Sequence, residues 1–213
     1  MADNVAITAG SGTSVATDDV GGVHYQRVKI ATGADGSATD VSSAAPLPVG
    51  GLVTRAATEF TRPADTTAYT AGDVVSNSTS ATTLIDLASA VRVNGGSGYI
   101  VRVDVATDKK SITPRLRVHF FNASNPTVSV DNAAHRELYA DAAKRLGYID
   151  LPAMTTGTDT TNSTMSRTVN DGCRLPVVAG AATTSLYATL EALDAFTPAS
   201  GQKFTLTVLV DNN

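Results

Sequence analysis

The chain has 213 residues, 42% hydrophobic and 17% charged, enough for one good-sized core or one core plus an arm. Its 16 Lys and Arg against 20 Asp and Glu give a net charge of −4, which leaves no strongly basic face for phosphates, so nucleic acid is not expected as a partner. One cysteine excludes an internal disulfide framework, and no stretch approaches the ~18 apolar residues of a membrane span, so no membrane association is expected either.

Residues 1–50 are poor in Leu, Ile and Phe. Ordering the backbone costs roughly 1–2 kcal/mol per residue. This segment cannot offset that alone, and an extended N-terminal arm that orders against another polypeptide is expected. Within it, Val23 to Ile30 is predicted as one strand, with Val28 and Ile30 sharing a face with His24 and Gln26. The flanking glycines, Asp35-Gly36 and the Asp18-Asp19 pair are expected in turns. Pro46 and Pro48 then force an extended path into Gly50-Gly51, a predicted hinge. The boundaries are 1–50 for the arm and 51–213 for a single β-sandwich domain.

Past the hinge, short strands are predicted at Val53 to Phe60, Asp73 to Ser76, Thr82 to Leu87 and Val91 to Val93. From Tyr99 to Val105 the chain sets Ile100, Arg102 and Asp104 opposite Tyr99, Val101, Val103 and Val105. Arg115 to Phe121 sets Leu116, Val118 and Phe120 against Arg115, Arg117 and His119. Ser185 to Leu190 alternates too, as does Lys203 to Val210 with Phe204, Leu206, Val208 and Val210 on one face. Period two at short spacing, with turns between, means a mainly β, antiparallel sandwich or barrel. Asn132 to Gly147 is rich in helix formers and stops at a glycine, which predicts one short helix near 139–146 over an end of the sandwich.

The chemistry-bearing residues form no recognisable motif. Gly10-Ser-Gly12 and Gly95-Gly-Ser-Gly98 lack the lysine and following helix of a phosphate loop, and Ser97 lacks the second glycine of a nucleophile elbow. His24, His119 and His135 show no metal-ligand spacing, and His119 is expected on the outer face of a sheet. Asp35 to Asp40 lacks the acidic spacing of a calcium loop. No catalytic residue, metal or cofactor is therefore expected. Cys173 reads as a small core residue. Lys109-Lys110 with Arg115 and Arg117, and Lys144-Arg145, read as a hairpin tip and a helix end, or as salt-bridge donors to an acidic neighbour. The Asn-x-Ser/Thr triplets at Asn77, Asn122 and Asn162 are chance matches in a Ser- and Thr-rich chain. Met1 to Val5 has no basic region leading into an apolar run, so synthesis in a cytoplasm is expected.

Two stretches carry a resemblance. Ala9-Gly-Ser-Gly-Thr13, Thr17 to Ile30 and Gly33-Ala-Asp-Gly36 resemble a segment of structural proteins of tailed bacteriophages. Phe60 to Val75, reading FTRPADTTAYTAGDVV, is similar to a stretch recurring in phage capsid-associated and decoration proteins. The resemblance implies a jelly-roll or β-tulip sandwich acting as a capsid decoration (cement) protein. It would be a homotrimer, made in the host cytoplasm and seated on the major capsid protein at the outer surface of the virion. The arm would make the contacts: Val20, Val23, His24, Tyr25, Val28 and Ile30, with Arg27 and Lys29 as charge partners. The alternative is a tail, baseplate or fibre component that binds a receptor; zero Trp and 5% aromatics weigh against sugar stacking. An enzyme is the third reading, and no candidate cluster supports it.

Overall fold

The computed structural model describes residues 17–26, 31–32, 39–40, 52–159 and 161–212. The chain divides into two compact units, Met1–Val49 and Gly50–Asn213.

Among the described residues the first unit contains two antiparallel strand pairs. Strands β1 (Thr17–Val20) and β2 (Val23–Gln26) pair antiparallel, and β3 (Ala31–Thr32) pairs with β4 (Thr39–Asp40). Gly21 and Gly22 close the first hairpin with φ of 63° and 82°. Positive φ at both central residues is the two-residue turn whose twist matches the strands, and glycine adopts it without a Cβ penalty. Asp18 and Asp19 thus lie in a strand rather than in a turn. The predicted strand to Ile30 is seen as far as Gln26; Arg27 to Ile30, Asp35-Gly36 and the two prolines lie outside the described residues.

The second unit is an antiparallel sandwich. Its strands are β5 (Leu52–Thr61), β6 (Val74–Val75), β7 (Ile85–Leu87), β8 (Ser97–Thr107), β9 (Leu116–Phe121), β10 (Arg145–Leu151), β11 (Thr155–Thr156), β12 (Ser166–Val178), β13 (Leu186–Ala192) and β14 (Lys203–Asn212). One sheet runs β11-β12-β8-β14-β5, the other β10-β9-β13-β6, with β7 also on β13. Val74 and Val75 pair with Glu191 and Leu190, while Ile85 to Leu87 pair with Ala188 to Leu186, so β6 and β7 are two halves of one interrupted strand. Counted so, and with the two-residue β11 set aside, eight strands in chain order form sheets 1-8-3-6 and 2-7-4-5. This is the double Greek key of a jelly roll.

A single core lies between the sheets, with Ile100, Val103, Val105, Leu116, Val118, Phe120, Leu190, Phe204, Leu206 and Val208 all essentially inaccessible. The two open edges are stitched by side chains. Thr54 and Thr58 of β5 donate their hydroxyls to the Ala90 and Asp86 carbonyls. At the opposite edge Asn170 Nδ2 donates to the Asp150 carbonyl at 2.9 Å, and Thr168 Oγ1 donates to that of Pro152 at 2.6 Å. On the outer face of the β5-containing sheet two ion pairs form: Arg167 with Asp104, and Lys203 with Glu59 at 2.8 Å.

Several expectations change. In β8 the core face is Ile100, Val103 and Val105, because the ladder steps from Arg102 to Ile100 against β14 and leaves Val101 as a bulge. A bulge reverses the in/out parity on one side of it. Val91 to Val93 is not a strand; the Val91 amide bonds to Thr184 and the stretch bends. The helix is a 3-10 turn, Tyr139–Lys144, and the chain continues directly into β10. Gly147 therefore sits in a strand at a register shift against β9, with φ of 131°, and does not cap a helix. Cys173 does pack against the core, as expected of it, but from a half-buried position, with its Sγ 3.6 Å from the Ile100 carbonyl.

The FTRPADTTAYTAGDVV stretch is the crossover from β5 to β6, and it is held by a buried ion pair. Arg62 donates Nε to the Tyr69 hydroxyl at 2.8 Å and a terminal nitrogen to Asp131 at 3.1 Å. Tyr69 donates to Asp131 at 2.6 Å, and the same carboxylate oxygen accepts the Ser76 amide at 2.8 Å. The Arg62 and Asp131 side chains are both fully buried. Charges this deep persist only when paired and fully hydrogen-bonded.

Candidate functional site

Two places carry features beyond packing. The first is the tip of the β1–β2 hairpin, where Val20 and Val23 face each other across the glycine turn, exposed by 62% and 43%. Of the expected contact residues, His24 and Tyr25 follow in β2; Arg27, Val28, Lys29 and Ile30 lie outside the described residues. Val20 and Val23 thus form an exposed apolar pair at the hairpin tip.

The second place is the outer face of β9, β10 and β13. Alternation puts Arg117, His119 and Phe121 of β9 on the side opposite the core. Register brings Asp150, Tyr148 and Arg145 of β10 beside them, and Glu191, Thr189 and Tyr187 of β13 on the other flank. Such a face would ordinarily be wet. Here the connection from β9 to β10 folds back over it, and His119 is only 2% exposed. His135 stacks on His119 with ring centroids 4.0 Å apart and planes 12° apart. Its backbone is fixed by a bond from its amide to the Gly72 carbonyl at 2.7 Å and by the Asp73–Ala134 bridge.

Hydrogen bonds fix the state of His119. Its Nε2 lies 2.7 Å from Glu191 Oε2, and its Nδ1 lies 3.2 Å from an Arg145 guanidinium nitrogen. The guanidinium can only donate. Nδ1 is therefore an unprotonated acceptor, and Nε2 carries the proton to Glu191. Burial, followed by the neighbouring His135, Arg145 and Arg117, pushes the His119 pKa down to about 3. Burial also lowers that of His135. Arg145 bonds Glu137 as well, and its guanidinium lies over the Phe121 ring at 5.2 Å. Arg117 pairs with Asp150 at 3.0 Å and covers the Tyr148 ring at 4.1 Å. The Asp150 carboxyl is accordingly held below its usual range by the Arg117 hydrogen bond.

Both basic clusters thus find acids within the chain: Arg115 with Asp194, Arg117 with Asp150, Lys144 with Asp141 and Arg145 with Glu137. The histidines that look unrelated in sequence are neighbours in space. His119, His135 and Glu137 each offer a ligand atom, and these atoms lie within 4.8 Å of one another. The sequence held half of this signal, the outward position of His119. The other half needed the path of the covering connection.

A mainly β jelly roll is the class this topology defines. No family model, no curated protein and no solved structure matches the chain.

Proposed function

We propose that this protein is a non-enzymatic structural component of a tailed-phage virion, a decoration protein that bridges major capsid protein subunits on the outer shell as a homotrimer. The observation that carries the reading is the strand order, because double Greek key sandwiches recur in viral capsid proteins. The same fold also serves lectins and cupins, so topology alone does not select among them. The separate leading unit adds the selective element. Its β1–β2 hairpin exposes Val20 and Val23 and has the chemistry for strand addition to a neighbour's edge. Bridging of this kind buries surface only in the assembled shell, so each contact favours the assembled lattice. The resemblance of residues 9–36 and 60–75 to phage segments supports the same reading.

Immunogold labelling of particles with an antibody to the second unit tests it. Shell-wide decoration at constant copy number is expected. Labelling confined to the tail would transfer the protein to the attachment apparatus, and unlabelled particles would end the proposal.

A further inference from the structure

Of the three side chains gathered over β9, His135 is the one whose chemistry is unfinished. Its side chain is 9% exposed, and neither ring nitrogen has a hydrogen-bond partner. The Glu137 carboxylate stands 3.7 Å from its Nε2. Buried polar atoms are nearly always bonded, and one left without a partner calls for an explanation such as strain or an ion. His119 is prepared in the complementary way. Its Nε2–H is committed to Glu191, which leaves Nδ1 as an acceptor, occupied here by the Arg145 guanidinium. A carboxylate behind the far nitrogen is the arrangement that orients histidine ligands in metal centres.

We infer that His119 Nδ1, His135 and Glu137 form a binding site for one divalent transition cation of the zinc, cobalt or nickel type. Two imidazoles and one carboxylate suit these ions, and they leave further coordination positions to water. The site already holds a positive charge. The Arg145 guanidinium reaches both His119 Nδ1 and the Glu137 carboxylate, so a metal ion replaces one cation by another at the same two acceptors. Arg145 is the group displaced in this exchange, and it keeps its contact with the face of Phe121. The parallel stack of the two rings sends their lone pairs side by side. Binding therefore turns His135, which no hydrogen bond restrains, until one nitrogen meets the ion. Glu137 is 58% exposed and gives the ion a path from solvent. An anion is disfavoured at the same place, since Glu137 and Glu191 would both face it.

The test uses the full chain after treatment with chelator. Titration with Co2+ is expected to give visible d–d absorption that saturates at one ion per chain and bleaches when Zn2+ is added. His135→Ala and Glu137→Gln change one buried, unbonded ring and one exposed carboxylate, neither in the core, and each is expected to abolish the saturable signal. Glu191→Gln should weaken zinc binding by about 10–100-fold through misorientation of His119. Arg145→Ala should tighten it, since no side chain need be displaced. Absence of saturable Co2+ absorption, or absorption that survives His135→Ala, overturns the assignment.

Discussion

His119 carries a proton in the unfolded chain below its ordinary pKa of 6.5 but resists one in the folded state down to about 3. The unfolded state therefore binds more protons across that window, and stability falls as pH drops from 6.5 toward 3. At pH 5 the loss from this one residue is about 2 kcal/mol relative to neutral pH. Urea unfolding at pH 7.5 and pH 5, where most carboxylates remain ionised, should show that loss, and His119→Asn should reduce it, leaving the share that buried His135 contributes. The Arg62–Asp131 pair behaves differently. Removing either partner strands a charge among Tyr69 and the crossover backbone, and Asp131→Ala should cost about 3–5 kcal/mol. The double replacement Arg62→Met with Asp131→Leu should be milder than the two single changes summed, as a denaturant-based double-mutant cycle would register.

At the scale of the element, β10 depends on Gly147. A Cβ there would stand 2.9 Å from Leu175 Cδ1, at a φ of 131° that side chains rarely adopt. Gly147→Ala should destabilise the sandwich by roughly 1–3 kcal/mol, and adding Leu175→Ala should relieve only the steric share. This strand also marks where sequence reading fails. Alternation in β9, β13 and β14 was legible because each packs one clean face on the core. The run through Asn132 to Gly147 favours helix locally, yet pairing with β9 draws Arg145 onward into the sheet. In β12 the alternation is interrupted where the register shifts between Asp171 and Leu175, opposite Val101. No period could survive that step. The His119–His135 contact was invisible for a related reason: it joins a strand position to an irregular covering segment, and irregular backbone has no period to read.

For the molecule as a whole, the second unit closes its own core and seals its own edges. A chain lacking residues 1–49 should therefore melt cooperatively at the temperature of the intact protein, followed by circular dichroism, and under the proposed role it should fail to decorate purified shells. Full occupancy by the shortened chain would place the gripping surface on the sandwich itself. The broad face built on β5, β14, β8 and β12 has a further physical consequence. Two of its ion pairs, Arg167 with Asp104 and Lys203 with Glu59, neutralise each other, so little of their field escapes beyond a Debye length of ~8–10 Å. Docking through those pairs would be nearly indifferent to ionic strength. A strong dependence of association on added salt would therefore have its origin in charges other than those two pairs.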